Sequence, residues 1–394
     1  MGMRYVGTSA RGIRLPVIAA GADLVGIIPS VLVEASQSLR DPFPLRDGDI
    51  VGVTESLLAR SQGNMVTLDD IAADVQRQIP AGDVSLIFPI LSRNRFGQLL
   101  RGILRGIRGR VCIFLSYPSD EVGNLVVDPQ TYFLRSGELS GETFDEEEYE
   151  RVFGRYVHAF TGVDYVRYYR EMDPGRVEIR FSNNPLSALR FSNTVIVASI
   201  HARFSHGEIL RRAGARVLSL DRICAAPLRE GMGFNSEFGL LGSNYSREET
   251  VKLFPRDSAA FCRALREKLA EKTGKRMEVL VYGDGAFKDP VCGIWELADP
   301  VVSPGYTSGL EGMPKEIKLK YIADNAGTLS PEDAVRKAIR NKKGMDRFGH
   351  PTLGTTPRRL TDLIGSLCDL TSGSGDKGTP VVHISGYFDT YLDD

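Results

Sequence analysis

The chain has 394 residues, 42% of them apolar and 25% charged, with 49 basic against 50 acidic side chains and a formal charge of −1. That much apolar material excludes a disordered chain, five cysteines in such a length exclude a disulfide scaffold, and the even balance excludes a chain basic throughout, though not a local patch. The length predicts about two or three domains.

The N-terminus, Met1-Gly2-Met3-Arg4-Tyr5-Val6-Gly7, has no apolar run of signal-peptide length. No window approaches the roughly 18 apolar residues of a membrane span. Cys112, Cys224, Cys262, Cys292 and Cys368 are scattered without a CxxC pair. Together these predict reduced thiols in a cytoplasmic protein.

Helical and strand periods alternate, which predicts a mixed α+β class. Gly21-Ala22-Asp23 opens a helix through Ser36, with Pro29 as a kink. Asp47-Gly48-Asp49 turns into a short buried strand, Ile50 to Val53. Glu55 to Gln62 reads as a helix stopped by Gly63, and Asp69 or Asp70 starts another. A second block, about 84 to 225, holds strands at Val84–Ile90, Val111–Leu115, Val177–Phe181, Thr194–Ile200 and Val217–Leu220. Its helices are Ser92–Ile107, Phe144–Val157 with four acids at its positive end, and His206–Ala213 capped by Ser205. In the last block Asp257–Thr273 is amphipathic and closed by Gly274, and Glu278–Tyr282 is a strand ending in Gly283-Asp284-Gly285. Ser330-Pro331-Glu332-Asp333 and Thr356-Pro357 open two more helices, and Thr379–Ser385 closes as a strand.

Asp284 is the clearest acid in a site-like setting. An apolar strand delivers it into a glycine-flanked loop, where a carboxylate can meet a ligand or metal. An ordinary turn aspartate is the alternative. Asp289 and Glu296 lie downstream and would complete an oxygen-rich site. The loop Ser372-Gly373-Ser374-Gly375-Asp376-Lys377-Gly378 follows a helix and precedes a strand, the wrong order for a phosphate loop, and reads as a connector. Residues 84–119 contain no acid. Arg101, Arg105 and Arg108 there follow i, i+4, i+7 spacing and are expected on one helix face. That face suits an anionic substrate tail, or else is solvated and paired with acids such as Glu146 to Glu148. Within the helix Ser92–Ile107 only Phe96 offers a ring, so the arginine face brings no stacking platform for RNA. His201 and His206 have poor spacing for a shared metal, and His206 is read as serving its helix start.

Several segments together resemble the coenzyme F420:L-glutamate ligase family, the F420-0 γ-glutamyl ligases. Gly12 to Ile18 followed by Gly21-Ala22-Asp23-Leu24 is similar to that family's opening leucine-proline loop and helix. Asp47 to Gly63 resembles its Asp-Gly-Asp segment, Gly242-Ser243-Asn244 the end of its Ser-Asn loop, and Leu253 to Arg266 a following helix. Asp284 falls at the aspartate of its Ser-Asp-Thr loop. Thr361 to Val382 is similar in spacing to its closing helix, loop and strand.

The resemblance implies a mixed-sheet ligase core made of residues 1–84 and 226–394, with 85–225 as an inserted α/β region. It implies GTP and Mg2+ or Mn2+, which phosphorylate a carboxylate so that the amine of L-glutamate makes an amide. A carboxylate is a poor electrophile, and phosphorylation supplies a leaving group while metal neutralises the transferred charge. By position Leu15, Pro16, Val17 and Ile18 form part of the nucleotide loop. Glu55, Ser56, Arg60 and Asn244 hold nucleotide, and Asp284 ligates metal and is catalytic. The family's Ser-Lys pair is Glu55-Ser56 here, and its second lysine is Arg60, which keeps the charge in a forked form. A metal-binding aspartate falls at Leu241, for which Glu237 is the stand-in, and a threonine falls at Gly285. The implied acceptor is the deazaflavin precursor, a folate or another anionic metabolite, and the helix face of Arg101, Arg105 and Arg108, read from spacing and not from the resemblance, is expected to grip its charged tail. A homodimer is implied, and nucleic acid is not an expected partner. A nucleotide-binding homologue without ligase chemistry is the rival reading.

Overall fold

The computed structural model describes residues 5–93, 95–159, 161–283, 287–288, 295–296, 303–314, 316–342, 359–373 and 375–392. The early strands are β1 (Ser9–Ile13), β2 (Ile50–Thr54), β3 (Met65–Thr67), β4 (Val84–Ile87), β5 (Val111–Leu115), β6 (Val177–Phe181), β7 (Thr194–Val197) and β8 (Arg216–Ser219). The later ones are β9 (Asn244–Arg247), β10 (Thr250–Lys252), β11 (Glu278–Tyr282), β12 (Phe287–Lys288), β13 (Trp295–Glu296), β14 (Gly305–Tyr306) and β15 (Val381–Ser385). The first helices are α1 (Leu24–Ser36), α2 (Glu55–Ser61), α3 (Leu68–Gln78), α4 (Phe96–Gly106), α5 (Pro129–Arg135) and α6 (Glu146–Phe153). They continue with α7 (Tyr165–Arg170), α8 (Arg203–Arg212), α9 (Ser258–Thr273), α10 (Leu319–Asp324), α11 (Pro331–Asn341) and α12 (Leu360–Ser372). The molecule is thus mixed α and β, with several sheets.

The chain divides into two compact units. One comprises Met1–Leu58, Asp257–Gly285 and Val302–Asp394, and the other Ala59–Arg256 and Ala286–Val301. The first is built on a sheet of order β1-β15-β2-β11-β14. Alternation along its strands sends Val51, Val53, Val279, Val281 and Val381 to one face, against α1 and α9. Ile50, Leu280, Tyr282, Val382 and Ile384 go to the other face, against α12. Gly52 lets α12 approach: a Cβ there would stand 2.4 Å from the Cys368 sulfur.

The second unit holds a parallel sheet of order β6-β5-β4-β7-β8. Val84, Leu86, Val111, Ile113, Leu115, Val177, Ile179 and Phe181 face a core shared with α3, α4, α6 and α7. Ile87, Cys112, Phe114, Val195 and Val197 face the opposite layer, with Leu210 of α8. Both faces are covered, as a parallel sheet requires. The strand predicted to reach Ile90 stops at Ile87 because Phe88 turns the chain with φ of 50°. α3 and α4 pack closely through glycine, since a Cβ at Gly102 would meet Ile71 at 2.9 Å and one at Gly106 the Ala72 carbonyl at 2.6 Å. A small sheet, β3-β10-β9, belongs to the same unit.

Candidate functional site

In the first unit four strand ends line up on one edge of the sheet. Ile13 pairs with Val381, Val381 with Val53, and Val53 with Val281, so one row crosses β1, β15, β2 and β11. Beyond that row each strand carries a segment singled out by sequence. β1 runs into Leu15, Pro16, Val17 and Ile18. β15 is entered from the Ser372–Gly378 loop. β2 runs directly into Glu55 and Ser56 of α2. β11 leads through Gly283 toward Asp284. Asp284, Gly285 and Asp289 lie outside the described residues, as does the side chain of Glu296.

Backbone bonds hold this edge. The Leu15 N–H donates to the Gly378 carbonyl at 3.3 Å, and the Thr54 N–H to the Pro380 carbonyl at 2.9 Å. The buried Tyr282 hydroxyl also reaches the Pro380 oxygen, at 3.4 Å. Burial raises the pKa of that phenol, so it stays a neutral donor. Ile18 is anchored in the core, whereas Pro16 and Val17 are exposed, Val17 at 93%. The loop is therefore pinned at its ends and open in its middle. Glu55 is buried and Ser56 exposed. The Gly378 end of the Ser372–Gly378 segment, read from sequence as a connector, is bonded to Leu15, which its residue order did not reveal.

In the second unit a network of buried amides fixes the segment that carries Glu237 and Asn244. Asn64 is fully buried. It donates to the carbonyls of Phe254 at 2.6 Å and Phe234 at 3.1 Å, and accepts from the Phe234 N–H at 3.0 Å and from Arg256 at 3.2 Å. Asn235 donates to Pro255 O at 3.0 Å and accepts from the N–H groups of Glu237 and Phe238. Gln62 exchanges two bonds with the Arg256 backbone at 2.8 Å each. Sequence reading missed these amides, because isolated Asn and Gln residues carry no periodic signal. Glu237 stands exposed on the turn so formed, Asn244 starts β9 half-buried, and Arg60 is exposed in the last turn of α2. Leu241 is 1% exposed and belongs to the core.

The arginine face is rearranged relative to expectation. α4 ends at Gly106, and Ile107 is already extended, so Arg108 has left the helix. It faces the Gln76 side-chain amide instead, and with that amide turned to present its oxygen Arg108 donates to it. Arg105 is paired with Glu249 and, at 3.1 Å, with Asp69, which raises its pKa further. Those partners are not the acids of Glu146 to Glu148. Glu146 pairs with Arg170 at 2.5 Å and Glu148 with Ser140. Arg101 stays on the exposed face of α4.

His206 does not serve its helix start. α8 begins at Arg203, so Ser205 is inside it, and His206 Nδ1 shares a 2.9 Å bond with the Ser199 hydroxyl. Among the described residues no group of three His, Cys, Asp or Glu side chains is placed to hold a metal. Those residues alone do not build a metal centre. No helix among them is long and apolar enough to cross a membrane.

A family model described as F420-0:Gamma-glutamyl ligase matches residues 12–386. Comparison with curated proteins finds no match. The family match takes in nearly the whole chain, including all four segments on the sheet edge. The chain belongs to the F420-0:gamma-glutamyl ligase family.

Proposed function

We propose that the protein is a nucleotide- and divalent-metal-dependent acid–amino-acid ligase that adds L-glutamate to an anionic acceptor through an acyl phosphate. The observation that supports this reading most is the single sheet edge carrying the Leu15–Ile18 loop, the Ser372–Gly378 loop, Glu55-Ser56 and the strand leading to Asp284. Four segments far apart in the chain meet there, as a site assembled on strand ends requires.

In this reading GTP supplies the phosphoryl group. An acceptor carboxylate oxygen attacks the γ-phosphorus, the bond to the bridging oxygen breaks, and GDP leaves. The glutamate amine then attacks the acyl carbon, loses its proton, and expels inorganic phosphate. The open middle of the Leu15–Ile18 loop, with Glu55, Ser56, Arg60 and Asn244, is assigned to the nucleotide. Arg60 offers a fork for phosphate oxygens. Asp284 is assigned as the catalytic metal ligand, for Mg2+ or Mn2+, with Glu237 as a second donor. Residues 85–225, which hold the parallel sheet, are assigned as an insertion in the ligase core, and the acceptor is F420-0, a folate or a related acid. A cytoplasmic homodimer completes the proposal, checked by sedimentation of the purified chain.

The test is turnover with GTP, Mn2+ and L-glutamate over a panel of acceptor acids, followed as phosphate release. Release that requires both acid and glutamate supports a ligase. The burial of Leu241, where the family carries an aspartate, favours a second reading, a nucleotide-binding homologue without ligase chemistry. Saturable GTP binding with no acceptor-dependent release would establish that second reading instead.

A further inference from the structure

Within the second unit a groove of about 500 Å³ is lined by Arg101, Leu104, Arg105, Tyr168, Glu171, Met172, Asp173 and Arg176. Its volume is in the range of small-molecule sites. Most of its charges are already matched. Glu171 accepts from Arg167 at 2.7 Å. Asp173 is paired with Arg176, which also donates to the Ile107 carbonyl at 2.7 Å and the Leu104 carbonyl at 3.2 Å. Arg105 is held by Glu249 and Asp69. Arg101 differs: among the described residues it has no hydrogen bond and no ion pair, only the through-space field of Glu249, whose carboxylate Arg105 already holds. It stands one helical turn from Arg105, whose own charge is already matched by Glu249 and Asp69, so Arg101 is the cation of this helix face left to meet a ligand. Beside it are the half-buried Tyr168 phenol and the apolar side chains of Leu104 and Met172.

We propose that this groove is a binding site for a compact organic anion, a carboxylate or phosphate monoester with an apolar body, whose charge rests on Arg101 and whose body lies against Tyr168, Leu104 and Met172. Two paired carboxylates in the wall set a limit on the ligand's charge, since a polyanion would be repelled where a single anionic group is not. Arg108, turned toward Gln76, takes no part. The site stands on its own geometry. Whether its ligand is the acceptor of the proposed ligase or a separate effector rests on the ligase reading.

The test is equilibrium binding of phenyl phosphate to the full chain, with benzyl alcohol as the uncharged control. Saturable binding of the anion alone is expected, weakened at least tenfold in Arg101→Gln and unchanged in Arg108→Gln. Both side chains are at the surface of the unit, and an unaltered melting temperature confirms that each variant folds. No saturable binding, or equal binding by Arg101→Gln, would overturn the proposal, whatever the outcome of the ligase assay. In an active enzyme, a raised acceptor KM in Arg101→Gln identifies the ligand as the acceptor, and an unchanged KM with lost phenyl phosphate binding identifies an effector.

Discussion

Asn64 shows how much one side chain can organise. Fully buried, it serves two carbonyls, one N–H and one guanidinium, and so fastens the 232–256 segment. Removing it takes away the bonds of the Phe234 N–H and carbonyl and leaves the Phe254 carbonyl only the longer bond from Asn235 at 3.3 Å, and an unmet buried polar group costs about 1–3 kcal/mol. Asn64→Ala should therefore lower unfolding free energy in urea by about 2–4 kcal/mol. A loss below half a unit would show that water replaces the amide. His206 makes a different prediction. Burial against Phe88 and beside Ser199 lowers its pKa from the usual 6.5. The unfolded chain then binds a proton that the folded chain refuses. Stability from this group is complete above about 6.5 and is lost as pH falls through the lower folded-state value. Melting temperature should fall between pH 7 and pH 5, and by less in His206→Gln. Equal falls in the two proteins would remove His206 from the account of acid sensitivity.

Elements were legible where their signals are local. Val111–Leu115, Val177–Phe181 and Glu278–Tyr282 match the apolar runs residue for residue. The helix starts read at Gly21-Ala22-Asp23 and at Ser330 also hold, and Asp23 and Ser330 each accept from a first-turn N–H. The start of α8 was not legible. Its own cap, Ala202, has no side-chain bond, and Glu121 instead accepts from the Ala202 N–H and from the two N–H groups that lead into it, Ile200 and His201, so it caps the turn entering the helix. A cap supplied from a distant loop leaves no trace near the helix. Glu121→Ala should cost about 1–2 kcal/mol and raise amide exchange at the start of α8; unchanged exchange there would contradict the capping role. Packing of α12 on β2 gives a sharper test. Gly52→Ala should destabilise by about 1–3 kcal/mol through collision with Cys368. Cys368→Ala should reduce that penalty in the double variant, and strictly additive losses in the double-mutant cycle would argue against the contact.

For the whole molecule, the site edge was legible as motifs and not as a place. Sequence names Leu15–Ile18, Glu55-Ser56 and Asp284 separately. The alignment of the strand ends that lead to them depends on β2 pairing with β11 and on β15 lying between β1 and β2, long-range choices that no local pattern encodes. The arginines show the converse, since helical spacing placed three on one face but α4 ends before the third. The proposed chemistry joins these pieces, and Asp284, two residues beyond β11 in sequence, is where that proposal is most exposed to test. The measurement is phosphate release from GTP by the full chain with Mn2+, L-glutamate and an acceptor acid, wild type against Asp284→Ala. Release that depends on acceptor and glutamate, reduced at least a hundredfold in the variant while the protein stays folded, is the expected result. Acceptor-dependent release undiminished in Asp284→Ala would contradict the assignment of this sheet edge as the catalytic site.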